Sequence, residues 1–327
     1  MAETTGAGMF YTSARAEVFV FRQRTMTTNL TKILPKETRL ATGDSSVGFI
    51  GAGKTATVLA LALCHAGYAV TAIASRTLAS ATSLAAQLNG CTAYPNSQDV
   101  ADKCNLVFIT TPDSVISTIA SCLKWHHNQA VIHCSGADST ASLVAATEQG
   151  ATTGGFHPLQ SFTNGAAPTT LQGITFALEA KEPLLTELKT MASALGGRWI
   201  ILNAEDKALY HASAVIASNY LVTLASAAAG LWAKFGISPS QAITALLPLM
   251  KSTVANIEQV GLPYCLTGPI ARDDAITVHR HLQALESLSP DLEAAYRELG
   301  KLTLPLAHVA GWLDQATMEN LIKALNE

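Results

Sequence analysis

The sequence predicts an α/β protein in which a doubly wound parallel sheet is followed by helices only. Two patterns of apolar residues indicate this fold class. From Val47 to about Leu202, short apolar runs alternate with helix-like segments, which is typical of successive βαβ units. After Leu202 only helical spacing remains. We therefore expect a poorly ordered extension over residues 1–44, a sheet domain over 45–203 and a helical domain over 204–327.

The individual elements follow from the positions of the apolar runs and of the residues that end them. Strands are predicted at 47–50, 69–74, 106–110, 130–134, 152–156, 173–178 and 199–202. Helices are predicted between them at 55–66, 78–88, 115–123, 141–147 and 183–195, and after them at 204–235, 238–259, 271–285, 290–304 and 317–325. Ser238 and Pro239 fit a helix start, and Pro248 predicts a kink.

Composition limits the classes of function. A chain of 327 residues suits two domains, and a net charge of −3 with 14% charged residues disfavours nucleic acid or an anionic membrane surface as the main partner. The six cysteines form no C-x-x-C pair, so we expect reduced cysteines, no metal site and a cytoplasmic protein. The most apolar stretch, 212–233, is interrupted by Ser, Asn and Thr, which disfavours a membrane span.

The stretch 47–56 combines a strand, a glycine turn and a helix start. Gly51, Gly53 and Ala56 form G-x-G-x-x-A, the dinucleotide fingerprint, whereas reading from Gly48 gives G-x-x-x-x-G-K-T, a Walker A box. The strand must run through Gly48, which places Gly51 at the turn, and no later apolar run ends directly in a magnesium-binding Asp. We therefore favour a dinucleotide site and keep a P-loop NTPase as the minority alternative. The predicted phosphate contacts are Gly51, Ala52, Gly53, Lys54 and Thr55.

The end of the second strand predicts the cofactor. NAD-binding domains usually carry an acidic residue there, whereas this strand is followed by Ser75, Arg76 and Thr77. A guanidinium and two hydroxyls could bind a 2′-phosphate, so the sequence favours NADP(H) over NAD(H). A solvated arginine at a strand end is the structural alternative.

Loops after later strands should line the same crevice, because the carboxyl ends of parallel strands meet at one edge of the sheet. Thr111, Pro112 and Asp113, together with Ser135 and Gly136, are predicted to pass the pyrophosphate and the nicotinamide ribose. All of these residues also suit ordinary turns. His157 and Ser161 follow the next strand and are predicted to bind substrate, and Thr267, in a loop of the helical part, is a further candidate.

A polar stripe marks the first helix after the sheet. At about 100° per residue, Lys207, His211 and Ser218 fall within roughly 40° of one another, and Asn219 lies further round. We assign Lys207 as electrostatic stabiliser of the substrate, His211 as proton donor and Asn219 as an orienting hydrogen-bond partner. A structural hydrogen-bond network is the alternative.

Residues 47–304 resemble an uncharacterised family that joins a Rossmann-like NADP-binding domain to a helical domain of the 6-phosphogluconate-dehydrogenase C-terminal type. The resemblance rests on motifs at 48–53, 75–76, 133–136, 156–162, 210–211, 218–220 and 266–272. The family is similar to pyrroline-5-carboxylate reductase and ketopantoate reductase. Lys54 and Thr55 depart from the pattern, where such proteins often carry other residues.

The resemblance implies an NADP-dependent oxidoreductase that transfers a hydride between NADPH and a C=O or C=N group of a small metabolite, a keto acid or cyclic imine. Related reductases interlock their C-terminal domains, and the apolar helices after residue 204 are consistent with that arrangement, so we expect a homodimer through this part. A non-catalytic, NADP(H)-sensing regulatory protein remains the alternative beside the NTPase.

Overall fold

A computed structural model describes residues 46–326, which fall into two compact units, 46–221 and 222–326. The predicted extension at 1–44 lies outside the described residues. The division follows Leu221, so the helix that begins near Lys207 stays with the sheet.

The first unit is built on one sheet with the strand order β3-β2-β1-β4-β5-β6-β7-β8. The strands are β1 (Ser46–Ile50), β2 (Ala69–Ala74), β3 (Thr92–Tyr94), β4 (Leu106–Ile109), β5 (Ala130–His133), β6 (Thr152–Pro158), β7 (Thr175–Ala180) and β8 (Arg198–Ile201). The pairs from β3 through to β6 are parallel, as is the β7–β8 pair, but β6 and β7 are antiparallel. The predicted parallel sheet therefore contains one antiparallel pair, at this step. Between β6 and β7 the chain forms a 3₁₀ helix, Pro168–Leu171, and no α-helical crossover that would bring it back in parallel.

Helices cover both faces of this sheet. They are α1 (Lys54–His65), α2 (Leu78–Ala85), α3 (Ser97–Lys103), α4 (Ile116–Cys122), α5 (Val144–Glu148) and α6 (Leu184–Ala194). Neighbouring residues of β1 point to opposite faces: Phe49 packs in the core under α1, α2 and α6, whereas Ile50 packs in the core under α3, α4 and α5. Two apolar cores on one sheet confirm the predicted doubly wound architecture.

The predicted single helix at 204–235 is interrupted. A 3₁₀ turn, Ala204–Asp206, opens with a capping box between Asn203 and Asp206, and α7 (Lys207–Ala217) follows. Ser218 has φ −119° and ψ −66°, which separates α7 from α8 (Asn219–Leu231), and a second 3₁₀ turn, Trp232–Phe235, ends the segment.

The second unit consists of the rest of α8 and four further helices. These are α9 (Pro239–Val260), α10 (Ala275–Glu286), α11 (Pro290–Val309) and α12 (Gln315–Asn326). Ser238 and Gln241 form the capping box at the start of α9, as predicted for a helix start there. The predicted end of α11 at residue 304 is wrong: the helix continues through Pro305 to Val309, because Leu304 and Ala307 both pack into the core of this unit.

The helical stretch Ala204–Phe235 is long and apolar enough to cross a membrane by length and composition, with 6% of its most apolar window buried. Helices of soluble proteins pass the same test. At its start Lys207 is 1% exposed and pairs with Glu179 of β7, so this end of the stretch is packed on the sheet.

We expect Gly51→Ala to lower the free energy of unfolding by roughly 2–4 kcal/mol, measured by urea denaturation. Gly51 has φ +114°, and a methyl group there would lie 2.8 Å from the Thr110 backbone. Gly53→Ala is the matched control, since φ is −82° and no atom lies within 4 Å of the added methyl. Equal losses in the two variants would contradict this account of the turn.

Candidate functional site

The glycine turn after β1 is held by three strands. The Gly51 N–H donates to the Ala74 carbonyl at 2.8 Å, and the Thr110 N–H donates to the Ile50 carbonyl at 2.8 Å. The Thr110 hydroxyl also donates to the Gly51 carbonyl at 3.2 Å. These bonds fix the turn at the carboxyl ends of β1, β2 and β4, where open parallel sheets bind their ligands.

A P-loop does not fit this turn. Gly48 lies inside β1, and a methyl group there would meet Val100 at 2.5 Å and Cys104 at 2.8 Å. Gly48 is therefore packed against α3 and cannot open a phosphate-binding loop, which a Walker A box requires of its first glycine. The structure removes the basis of the NTPase alternative.

The N-terminus of α1 is open towards a ligand. Its N-cap is Gly53, no side chain caps it, and its first turn, which includes Lys54 and Thr55, contains no acidic residue. A cavity of about 420 Å³ adjoins it, lined on one side by Ala52, Gly53, Lys54, Thr57 and Val58 and on the other by residues 163–166. Unclaimed backbone N–H groups at a helix start favour an anion, and the space above Gly53 admits one.

The residues predicted to read the 2′-phosphate lie beside this turn, because Ile50 pairs with Ala74 at the end of β2. Arg76 and Thr77 are exposed and Ser75 is half-buried. The Thr77 hydroxyl already hydrogen-bonds the Ser80 hydroxyl at 2.7 Å, which leaves Arg76 as the principal anion-binding candidate.

The loops after β4 and β5 are tied together. The Ser135 hydroxyl donates to the Asp113 carboxylate at 2.8 Å and accepts from the Asp138 N–H at 2.9 Å. Asp113 and Ser135 therefore have a structural role, whatever cofactor contacts they make. Pro112, which precedes Asp113, is exposed. The Thr111 hydroxyl is buried and has no hydrogen-bond partner in the described part of the chain.

A buried polar cluster lies on the sheet behind this edge. Lys207 Nζ is 3.5 Å from Glu179 Oε2, and Glu179 Oε1 accepts from the N–H and hydroxyl of Thr140 at 3.0 and 2.8 Å. Lys207 Nζ, Glu179 Oε2 and His133 Nε2 make no hydrogen bond within residues 46–326. Burial lowers the pKa of Lys207, and the Glu179 carboxylate opposes that shift. The ion pair is thus close but not hydrogen-bonded.

His133 stays neutral inside this cluster. Its Nδ1 accepts the Ser135 N–H at 3.1 Å, so the remaining proton lies on Nε2. Burial, assisted by the Lys207 ammonium, lowers the pKa of His133 to about 3. The backbone of Ser139 partly opposes this lowering of the pKa. His133 Nε2 has no hydrogen-bond partner among the described residues.

Two further histidines meet over Gly136. A methyl group at Gly136 would lie 2.9 Å from Nε2 and Cε1 of His157 and 3.0 Å from Cδ2 of His211. His157 Nδ1 is 2.8 Å from the Tyr210 hydroxyl, and the two rings are perpendicular. Burial, then the positive charges of Lys207 and His211, lower the pKa of His157 to about 4, and burial raises the pKa of Tyr210 to about 12.

A cavity of about 450 Å³ opens beside these histidines. No Asp or Glu is among its lining residues, whose polar members all carry hydrogen-bond donors. The polar lining residues are His157, Gln160, Ser161, His211, Ser213, Ser218 and Asn219.

Within the first unit the structure brings together the predicted substrate-side residues, with one exception. His157, Ser161, His211 and Asn219 line one cavity, but Lys207 does not line it, because its ammonium is buried at Glu179. Thr267 is exposed in the second unit, before the 3₁₀ turn Ile270–Arg272. No role was assigned to Tyr210 or Glu179 from the sequence; the Tyr-His pair at 210–211 was a signal for the first, and no local pattern indicated the second.

We expect the free energy of unfolding to fall as pH drops below about 6.5, by about 1.4 kcal/mol per pH unit for each buried histidine. His133 and His157 have folded pKa values of about 3 and about 4, below the ordinary value of 6.5, so this stability is complete above 6.5 and is lost towards the folded values. Urea denaturation between about pH 7 and pH 5 measures it.

In the same titration His133→Gln should remove about half of the slope, whereas His279→Gln, at an exposed position of α10, is the control. An unchanged slope in His133→Gln would show that other groups cause the acid sensitivity.

Comparison with known proteins agrees with this architecture. Residues 33–158 match the Rossmann-like domain, and residues 174–303 match a domain of unknown function, DUF2520. No curated protein matches the chain.

Solved structures share the fold over most of the chain. A Bacteroides fragilis protein provisionally named an NADP oxidoreductase is 24% identical, with a TM-score of 0.67 over 80% of this chain and 98% of that chain. Protein TM1727 of Thermotoga maritima is 27% identical, with a TM-score of 0.65 over 80% and 98%. The 1-pyrroline-5-carboxylate reductase of Streptococcus pyogenes is 19% identical, with a TM-score of 0.54 over 85% and 98%. The chain is therefore a Rossmann-like protein with a DUF2520 domain, and its fold is that of structures named as NADP oxidoreductases and pyrroline-5-carboxylate reductases.

Proposed function

We propose that the protein is an NADP(H)-dependent reductase that transfers a hydride between NADPH and a C=O or C=N group of a small metabolite. One observation carries the proposal: the open glycine turn and the histidine-lined cavity follow strands of the same sheet, β1 and β6, at their carboxyl ends. A dinucleotide bound across that edge would reach from one to the other. The names of the structural neighbours support the same class of reaction.

The phosphate side fits the cofactor through five features of the chain. The N–H groups that open α1 would face the pyrophosphate, Gly53 leaves room for it, and Lys54 adds a positive charge beside it. At the end of β2, residues 75–77 contain no acid that would repel a 2′-phosphate. Arg76 makes no hydrogen bond or ion pair with the described residues, so its guanidinium is available to that phosphate.

The reacting end would lie at the cavity that His157 and His211 line. NADPH supplies the hydride there. His211, which lines the cavity, would deliver the proton, and Asn219 would orient the substrate. Lys207 would act through its field on this cluster and not by touching the substrate, because its ammonium is buried.

We expect Arg76→Ala to weaken NADPH binding by about ten- to a hundredfold and to leave NADH binding nearly unchanged, because a charged hydrogen bond to the 2′-phosphate is lost. Fluorescence titration of both cofactors measures the effect. Gly53→Ala is the matched variant, which should weaken both cofactors alike by obstructing the pyrophosphate. Equal affinity of the wild type for NADPH and NADH would refute the preference.

Turnover separates an enzyme from a sensor. A panel of small keto acids and cyclic imines, followed by NADPH absorbance, should reveal a substrate, and His211→Ala should then lower kcat by roughly a hundredfold or more with NADPH binding intact. NADPH binding without turnover across the panel would favour the regulatory alternative.

We further propose that the second unit mediates a homodimer. Helix α9 buries one of its 22 residues, Ala242, and exposes Leu249 to 65%, Val254 to 56% and Val260 to 54%. Lys251 and Glu258 are its charged residues. A helix this long, this exposed and this poor in charge favours a second copy of the chain as its cover.

We expect light scattering to give the mass of a dimer at micromolar concentration, and Leu249→Asp to shift it towards the monomer, because a carboxylate would be buried in the interface. Gln259→Glu, also exposed on α9, is the control and should leave the mass unchanged. A monomeric wild type would exclude the dimer, and recovery with membranes would point to a lipid surface instead.

A further inference from the structure

We propose that the turn at residues 163–166 is a second wall of the phosphate site and binds the pyrophosphate of the cofactor from the side opposite α1, with Thr163 and Asn164 as hydrogen-bond donors. This inference rests on the proposed reductase function and adds a binding element that the glycine fingerprint does not contain. Its basis is the cavity of about 420 Å³ that the turn and α1 both line.

The charge of this cavity favours an anion. Lys54 is the one charged residue among the described residues that line it, and the N-terminus of α1 adds unclaimed N–H groups. The sequence between Pro158 and Glu179 contains no charged residue, so the loop that carries the turn brings no carboxylate to the opposite wall. A ligand bound here therefore meets positive charge on one side and neutral groups on the other.

Two polar side chains of the turn are free to bind such a ligand. Thr163 and Asn164 are exposed, and neither side chain makes a hydrogen bond or ion pair with the described part of the chain. Gln160, by contrast, stabilises the loop itself, because its side chain accepts from the Ser161 N–H at 2.9 Å and donates to the Thr170 carbonyl at 3.4 Å. The Thr163 hydroxyl and the Asn164 amide can therefore donate to a phosphate without breaking a contact of the fold.

The fold fixes the turn beside α1. Phe162 and Ala166, on either side of the two polar residues, pack against the apolar core to which α1 contributes. The Ala166 N–H donates to the Thr163 carbonyl at 3.3 Å, and Gly165 has φ +77°, as the third position of a tight turn often requires. Side chains on a short, closed turn lose less entropy when they bind a ligand than side chains on an open loop.

The loop that carries the turn also joins the two ends of the proposed cofactor path. Ser161 lines the cavity beside the histidines, and Thr163 lines the cavity beside α1. Two residues span at most about 7 Å, so the two cavities are adjacent along this loop. A cofactor whose pyrophosphate lies against the turn could therefore reach the histidine-lined cavity with its nicotinamide.

Affinity for inorganic pyrophosphate tests the turn without a substrate or a nicotinamide. Calorimetric titration of the full chain should show binding, and Asn164→Ala should weaken it about tenfold, because a hydrogen bond to a charged ligand is lost. Asn164→Asp should weaken it further, because a carboxylate repels the anion, and added salt should reduce this extra loss. A residue with a purely structural role would give neither that order nor that salt dependence.

Thr163→Val is the second variant at the turn and should weaken binding severalfold. Asn89→Ala and Asn89→Asp are the matched controls. Asn89 is exposed and also precedes a glycine with positive φ, Gly90 at +75°, but it lies before β3, at the edge of the sheet where the parallel strands begin. Both controls should leave binding unchanged, and urea denaturation should show that every variant is folded. Equal losses at Asn89 and Asn164 would overturn the proposal.

Cofactor binding separates this inference from the reductase function itself. Asn164→Ala should weaken NADPH and NADH by the same factor, whereas Arg76→Ala should act on NADPH, because the two cofactors share the pyrophosphate and differ in the 2′-phosphate. If folded Asn164 variants bind NADPH as well as the wild type does, the inference fails and the reductase function stands. If the wild type binds pyrophosphate with the expected order of variants but binds neither cofactor, the reductase function fails and the turn remains an anion site. A wild type that binds neither pyrophosphate nor cofactor overturns both.

Discussion

The buried contact between Lys207 and Glu179 positions the candidate site. Glu179 lies on β7, beside Gly155 of β6, and Lys207 opens helix α7. Because the Lys207 ammonium is fixed 3.5 Å from this carboxylate, the first turn of α7 is held on the sheet. Tyr210 and His211 follow one turn later and meet His157 and Gly136. The site therefore depends on a contact that does not itself line the cavity.

Burial keeps His133 and His157 neutral, and the Lys207 ammonium of the same contact reinforces this effect. Removing one partner of a buried ion pair costs roughly 3–5 kcal/mol, so the pair is difficult to lose even though its net contribution to stability is small. The Lys207 ammonium helps to lower the pKa of both His133 and His157. A positive charge kept out of water thus favours neutral imidazoles at the reacting edge, which donate hydrogen bonds without carrying charge.

Local patterns explain what the sequence could predict. The glycine spacing at 51–53 and the apolar strands are local patterns that can be recognised from a few consecutive residues. The turn, the doubly wound sheet and most elements were therefore predicted. The short edge strand β3 and helix α3 were missed, because Thr92 is exposed and α3 buries just Val100 and Ala101. Periodicity also cannot show the Tyr210–His157 hydrogen bond, because its partners are 53 residues apart. Nor can it show that Lys207, a member of the polar stripe, is buried against the sheet.

The surroundings of three glycines show where the chain itself requires a small residue and where it leaves space for a ligand. A methyl group at Gly155 would lie 3.1 Å from Lys207 Nζ, and one at Gly136 would lie 2.9 Å from His157, so the protein itself accounts for both. At Gly53 no atom lies within 4 Å and φ is −82°, a conformation open to any residue. Neither folding nor packing requires glycine there. If the position requires glycine, the requirement comes from outside the chain, and at the start of a helix the close approach of a phosphate is the physical reason available.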